Sequence, residues 1–183
     1  IGIRLLRDKS FATDSTRFPV FTLRELPKTD VMAWQPGKPF DRLAHVVTWD
    51  AGEATAIEID LTHQKVVGFR KLPGAQPSIM DAEWARARDK FIADPRYAAA
   101  LKRRALDKGH KIFCTPNSAG YYSSEPYNAR RILRIPCFDD VEKLHPSLAR
   151  PVEGLMGVVD SASGEVIDVI VREVVDIKPA PEG

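Results

Sequence analysis

Short segments of alternating apolar and polar residues recur through residues 1–75 and predict an antiparallel sheet. A segment with the pattern of a helix end, residues 3–9, precedes them. The predicted strands are residues 18–26, 30–34, 44–50, 54–60 and 65–72. The joints at residues 51–53 and 62–64 are short enough for hairpins, so the strands that they connect should pair antiparallel. We therefore expect one helix packed against one antiparallel sheet.

A second region repeats this order, with helical segments first and strands after them. Turn-forming residues at 73–77 (PGAQP) mark the boundary between the regions. Asp81 is the predicted N-cap of the next helix, and Asp94 followed by Pro95 has the pattern of another helix start. The apolar face at helical spacing consists of Trp84, Ala87, Phe91, Ile92, Tyr97, Leu101 and Leu106.

Further strand patterns follow these helices, so the chain is predicted to belong to the α+β fold class. They are residues 111–115, 130–138, 152–160 and 165–174, and a tight hairpin at 161–164 joins the last two. We expect two domains, each with a helix packed on an antiparallel β-sheet. Their predicted bounds are 1–75, with a first helix cut short at Ile1, and 76–183, ending in an exposed linker.

Composition narrows the choice of partners. The chain is 44% hydrophobic, enough to form a core, and its net charge of +2 balances 27 basic against 25 acidic residues. Such a balance gives no general attraction to nucleic acid or to anionic lipid. No apolar run approaches the roughly 20 residues of a membrane span. Neither a nucleic-acid partner nor a membrane partner is predicted.

Cys114 and Cys137 permit at most one disulfide. Both fall in predicted strands, where a buried free thiol is the commoner state, so free thiols are preferred while the disulfide state stays open. Free thiols favour the cytoplasm without deciding the compartment.

Residue spacing predicts no catalytic or metal-binding site within the chain. No two of the histidines lie two or four residues apart, and none flanks a cysteine at zinc-ligand spacing. These histidines are His45, His63, His110 and His145. The sequence also lacks a glycine-rich phosphate loop and a Gly-x-Ser-x-Gly nucleophile motif, and its carboxylates are scattered.

Three tyrosines and three arginines lie close together within residues 117–138. They are Tyr121, Tyr122, Tyr127, Arg130, Arg131 and Arg134. A nucleic-acid patch would combine such aromatic residues with surplus positive charge, which this chain lacks. The favoured interpretation is that the arginines lie on a solvent-exposed strand. Odd and even positions of a strand point to opposite faces, so adjacent arginines would not form one patch.

Two further features each have two interpretations. Trp84 either anchors its helix in the core, as the apolar stripe favours, or lines a ligand path. Residues 64–68 (QKVVG) fit the Gln-x-Val-x-Gly pattern of cystatin-type inhibitors of cysteine proteases, in which a hairpin tip enters the protease cleft. Val66, Val67 and Phe69 better fit the interior of a strand, and no Pro-Trp pair follows as a second wedge, so the strand interpretation is preferred.

Several segments together resemble the copper-containing primary amine oxidases. Similarity to the second N-terminal domain (N2) lies in residues 16–28, 37–47 and 66–77. Similarity to the third (N3) lies in residues 81–104, 114–122, 130–138 and 149–160, which include the signatures SAG, RRIL and ARPVEGL. The resemblance covers nearly the whole chain in the order of the family, and implies two domains of cystatin-like topology.

The resemblance also implies that the catalytic parts lie on other polypeptide. Family enzymes hold copper with three histidines, two of them as His-x-His, and convert the tyrosine of an Asn-Tyr-Asp/Glu motif to topaquinone in a C-terminal β-sandwich. Neither motif occurs here. The chain would then be an accessory region of an enzyme that converts primary amines to aldehyde, ammonia and hydrogen peroxide, and would itself hold neither copper nor topaquinone.

Two sets of residues acquire roles from this resemblance. Trp84, Pro116, Asn117 and Leu148 would line the substrate channel. Tyr121, Tyr122, Arg150 and Glu153 would contact a neighbouring domain. The implied partner is the catalytic domain, in the same chain or missing, and a homodimer is possible if that surface is exposed. A stand-alone protein-binding module of the same fold is the alternative, and a cysteine-protease inhibitor comes after it.

Overall fold

The structure, a computed structural model, describes residues 1–120, 127, 130–140 and 150–173. The chain divides into two compact units, Ile1–Ser78 and Ile79–Gly183. None of the helices in the described ranges is long and apolar enough to cross a membrane.

The first unit is a four-stranded antiparallel sheet with helix α1 on one face. Its elements are α1 (Gly2–Asp8), β1 (Arg17–Leu23), α2 (Lys28–Ala33), β2 (Leu43–Asp50), β3 (Glu53–Asp60) and β4 (Lys65–Leu72). The strand order is β1-β2-β3-β4. Leu6 of α1 packs into a core formed by alternate residues of β2 and β3, since the register pairs Val46 with Ile57 and Ala44 with Ile59. The alternation in the sequence thus marks the buried face.

The hairpin between β2 and β3 has a two-residue turn, whereas the joint expected from the sequence was residues 51–53. Asp50 pairs with Glu53, and the intervening Ala51 and Gly52 have φ angles of 48° and 85°. Positive φ at both central positions is typical of a type I′ turn, whose twist matches that of the strands. The antiparallel hairpin expected here is confirmed.

Residues 30–34 do not form the expected fifth strand. Most of them belong to α2, in which the amide of Val31 donates to the carbonyl of Pro27 at 3.1 Å. Strand β1 pairs directly with β2, so this segment does not lie between them in the sheet. The five-residue apolar pattern was too short to separate a helix from a strand.

The prediction that residues 64–68 belong to the buried interior of a strand is wrong in part. Gln64 lies in the turn before β4 with a φ angle of 52°, and the segment continues as a strand, as expected, at the edge of the sheet. Val67 and Phe69, however, are 50% and 63% exposed. A bulge opposite Glu58 and Ile59 interrupts the alternation at this point.

The second unit packs two helices on another antiparallel sheet. Its elements are α3 (Asp81–Ile92), α4 (Pro95–Arg103), β5 (Ile112–Cys114), β6 (Asn117–Ser118), β7 (Ile132–Asp139), β8 (Arg150–Asp160) and β9 (Val166–Val171). The strand order is β5-β7-β8-β9, and β6 also pairs with β7. Phe91 of α3 lies on Gly157 of β8 so closely that an added Cβ would be 2.6 Å from its ring. Glycine at 157 therefore lets the helix approach the sheet.

Two details of the predicted helices need correction. Met80, not Asp81, is the N-cap residue of α3, and its amide donates to Glu83 Oε2 at 3.0 Å. Ile92 is 42% exposed and lies outside the core, whereas Ala87 and Phe91 are buried as expected. The predicted start of α4 is confirmed, since Asp94 Oδ1 accepts the amide of Arg96 at 2.8 Å.

Cys114 and Cys137 form a disulfide, so the preference for free thiols is wrong. The two residues are directly opposite each other on the antiparallel strands β5 and β7, with Cα atoms 4.0 Å apart. Their separation of 23 residues gave no indication of this pairing, because it depends on the register of the sheet. The thiol argument for a cytoplasmic location no longer applies.

Candidate functional site

The structure brings Trp84 and Pro116 together at one edge of the second unit. Trp84 lies in the first turns of α3, and its Nε1 donates to the carbonyl oxygen of Pro116 at 2.9 Å. Pro116 is buried after β5, whereas Asn117 is exposed at the start of β6. The indole is partly exposed. Leu148, the fourth predicted channel residue, lies outside the described residues.

Arg88 belongs to the same site, although the sequence analysis did not assign it. Its guanidinium carbon lies 5.1 Å from the centroid of the Trp84 ring, within the range of a cation–π contact. Arg88 also donates to Asp89 Oδ1, from Nε at 3.1 Å and from Nη2 at 2.9 Å. The i, i+4 spacing of Trp84 and Arg88 on a helix was the signal that would have found this pair.

These residues, Trp84, Arg88, Pro116 and Asn117, are named here the Trp84 cluster. Strand pairing fixes one side of it, because Asn117 pairs with Arg134 of β7. The amide of Asn117 donates from Nδ2 to the carbonyl of Thr115 at 3.2 Å. The Trp84 cluster presents an aromatic face, a guanidinium and an amide. Such groups can contact and orient a ligand, but they supply neither a nucleophile nor a general base.

A buried ion pair lies next to the Trp84 cluster. Arg131 donates to Glu83 from Nε at 2.7 Å and from Nη2 at 2.9 Å, and Ser161 Oγ lies 3.2 Å from Glu83 Oε1. Burial would raise the pKa of Glu83, but the Arg131 and Met80 hydrogen bonds and the Arg131 charge hold that pKa below its ordinary value. Arg131 is 4% exposed, so the expectation of a solvated face is wrong for this residue.

Arg130 is also paired with carboxylates. It contacts Asp160 at 2.7 Å and Glu165 at 2.5 Å, across the turn between β8 and β9. Burial would raise the pKa of Asp160, but the bond from Arg130 and the amides of this turn hold that pKa below its ordinary value. Arg130 and Arg131 thus both form ion pairs with carboxylates of the same unit.

Only two of the four residues predicted to contact a neighbouring domain, Arg150 and Glu153, belong to the described residues. Tyr121 and Tyr122 lie outside the described residues. Arg150 is exposed at the start of β8, and the carbonyl of Glu153 accepts a bond from Arg104 Nη2 at 3.3 Å within the same unit. Whether Arg150 and Glu153 also contact another domain stays a prediction.

The described residues do not fit a copper site. His45, His63 and His110 each pair with a single carboxylate, at 2.7, 2.8 and 2.6 Å. Over residues 1–120, 127, 130–140 and 150–173, no group of three or more His, Cys, Asp or Glu side chains is placed to hold a metal ion. His145 lies outside this part of the chain.

Comparison with known proteins agrees with the fold. Residues 82–182 match the family model described as "Copper amine oxidase, N3 domain", and residues 3–68 match an "AGAO-like N2 domain". The copper-containing benzylamine oxidase of Hansenula polymorpha superposes with a TM-score of 0.72 at 15% identity, over 92% of this chain and 28% of that one. This superposition supports the fold alone.

Curated relatives extend over the same region. The chain is 28% identical over 184 residues to the histamine oxidase of Arthrobacter globiformis, covering 97% of this chain and 26% of that protein. It is 27% identical over 191 residues to the peroxisomal copper-containing diamine oxidase 1 of Nicotiana tabacum, covering 94% of this chain and 24% of that protein. The chain thus spans about a quarter of the length of these relatives. It belongs to the copper amine oxidase family, of which it contains the N2 and N3 domains.

Proposed function

We propose that this chain is the non-catalytic accessory region of a copper/topaquinone primary amine oxidase, in which it shapes the substrate channel and contacts the catalytic domain. The proposal assigns residues 1–75 to an N2-like and residues 76–183 to an N3-like domain, both of cystatin-like topology. Copper and topaquinone would be supplied by the rest of a full-length enzyme. The family match and the absence from this sequence of both cofactor motifs support this division of labour.

The single observation that supports the channel role is the anchoring of Trp84. The indole is partly exposed while its Nε1 donates to the carbonyl of Pro116, so part of the ring faces away from the core in a fixed orientation. An indole fixed by one polar bond presents a rigid aromatic wall to a ligand. Trp84 and Pro116, which were assigned to the channel by resemblance, are in contact, and Asn117 follows directly.

Two experiments test the proposal. The purified chain with added copper should give no hydrogen peroxide from benzylamine, tyramine or phenethylamine; turnover would refute the non-catalytic role. In a full-length enzyme that contains these domains, Trp84→Ala should change the ratio of kcat/KM between small and bulky amines, with Trp84→Phe as the conservative control. An unchanged ratio, together with a large fall in melting temperature, would identify Trp84 as a core residue instead.

Protein binding is a second candidate function, favoured by the exposure of β4. Val67 and Phe69 present apolar side chains on an edge strand, beside the turn that contains Gln64. Exposed edge strands can accept a partner segment. A papain inhibition assay tests the protease-inhibitor version, and the mass of the chain in solution tests homodimer formation. Uninhibited papain and a monomeric chain would contradict both.

A further inference from the structure

A basic cavity lies at the C-terminal end of α4. Its volume is about 410 Å³, and its walls are Arg103, Arg104, Val171, Arg172 and Glu173. The arginines come from two separate parts of the chain, the end of α4 and the residues after β9. A helix C-terminus attracts cations, which accounts for Arg103 and Arg104. It does not account for Arg172, which the sheet brings to the same place.

Arg104 is held in a fixed orientation. Its Nη2 donates to the carbonyls of Arg172 at 2.7 Å, Gly154 at 3.2 Å and Glu153 at 3.3 Å. Gly154 makes this arrangement possible, because its φ angle is +63° and a Cβ there would lie 2.9 Å from the Arg172 carbonyl. The guanidinium is therefore positioned by backbone groups.

Within the part of the chain that the structure describes, carboxylates do not balance the positive charge of the cavity. Three arginines and one glutamate line it, which leaves a formal charge of +3 − 1 = +2. The other residues that the structure describes contribute no ion pair to Arg103, Arg104 or Arg172, in contrast to Arg130 and Arg131 of the same unit. The buried Nε of Arg104 has no acceptor among the described residues. Burial and the charge of Arg103 both lower the pKa of Arg104.

We propose that this cavity is a binding site for a phosphate-class oxyanion. A phosphomonoester carries about −1.5 to −2 charges at neutral pH, which matches the charge of the cavity, and offers three acceptor oxygens. Guanidinium groups suit this ligand because their N–H donors match the spacing of its oxygens. Arg103 and Arg172 would supply the donors, whereas Arg104 contributes charge, because its Nη1 and Nη2 already donate to backbone carbonyls. The source of the anion is either free phosphate or the phosphomonoester of a larger molecule.

The test is calorimetric titration of the intact chain at constant ionic strength, with inorganic phosphate in one arm and phenyl phosphate in the other. Saturable binding in either arm is expected, with a Kd on the order of 1 mM. Tighter binding of phenyl phosphate would assign the site to phosphomonoesters. Tighter binding of inorganic phosphate would assign it to the free ion. No saturable heat in either arm would overturn the proposal.

Matched variants separate a site from general charge attraction. Arg103→Gln and Arg172→Gln should each weaken binding about tenfold, the effect of one charge-assisted hydrogen bond. Lys102→Gln removes the same charge from the neighbouring, exposed position of α4, which does not line the cavity, and should leave Kd unchanged. Equal weakening by Lys102→Gln would overturn the proposal. Arg104 is left intact because it holds backbone carbonyls, and an unchanged far-UV spectrum would confirm folding.

Discussion

The buried Glu83–Arg131 pair makes the sharpest prediction for stability. The two side chains are 9% and 3% exposed, so a charge left without its partner cannot be solvated well. Arg131→Met removes the two charge-assisted hydrogen bonds to Glu83, of 2.7 and 2.9 Å, and leaves the carboxylate with the Met80 amide and the Ser161 hydroxyl. Breaking a buried pair costs about 3–5 kcal/mol, and the two remaining donors place the expected loss near the lower figure.

The double variant distinguishes a charge effect from a loss of packing. Glu83→Gln combined with Arg131→Met removes both charges, so it should destabilise the unit much less than the sum of the single variants. The expected coupling energy is about 2 kcal/mol. Lys90→Met serves as the control, because Lys90 is exposed on the same helix, and it should change the unfolding free energy by less than about 0.5 kcal/mol.

Urea unfolding must report on the second unit alone, since the chain has two compact units. Trp34 and Trp49 lie in the first unit, so replacing both with Phe leaves Trp84 as the only tryptophan and a local fluorescent probe. Additive single variants, each costing less than about 1 kcal/mol, would refute the reasoning, because they would place the pair in the class of weak surface ion pairs.

Three further predictions concern the same fold. Cys114→Ser with Cys137→Ser should lower the unfolding free energy by about 3 kcal/mol, the chain-entropy value for a loop of this length, and dithiothreitol should lower the melting temperature of the parent chain but not of the variant. Gly157→Ala should cost about 1–3 kcal/mol because its methyl group would overlap the Phe91 ring, whereas Gly68→Ala, with open space around its Cβ, should not; equal effects would contradict the packing argument. The pKa of Glu83 lies below its ordinary value of 4.5, so its contribution to stability should be fully present above pH 4.5 and lost as pH falls through the folded-state pKa. Melting temperatures of the parent and Glu83→Gln should therefore converge on acidification, and a difference that stays constant with pH would contradict a stabilising charge on Glu83.

The sequence pattern predicted those elements whose conformation is specified by residues close to them in the chain. The turn at Ala51 and Gly52 and the helix start at Asp94 and Pro95 depend on neighbouring residues, and both are confirmed. Helix α2 was missed because a short apolar segment has no clear period that separates a helix from a strand. Strand β6 has only two residues and leaves no readable pattern.

Long-range pairings set the limit of sequence reasoning. The disulfide joins residues 23 apart through the register of β5 and β7, and no local signal specifies that register. At the candidate site, resemblance to the family indicated Trp84 and Pro116 as separate positions. Their hydrogen bond spans 32 residues and becomes visible only in the folded chain. The contact between Arg88 and Trp84 could have been predicted, since Arg88 follows Trp84 by one helical turn.

The arginines at 130 and 131 show why charge alone does not indicate function. Their sequence context allowed a solvated face or an anion-binding patch, and the outcome depended on carboxylates 48 residues before Arg131 and 30 and 35 residues after Arg130. The Glu83 carboxylate that pairs with Arg131 also caps the start of α3, directly before Trp84. Because this pair ties the first turn of α3 to the residue directly before β7, it fixes the point from which the indole reaches Pro116. Arg131→Met should therefore loosen the Trp84 cluster as well as destabilise the unit, and a red shift of Trp84 emission under native conditions would reveal the loosening.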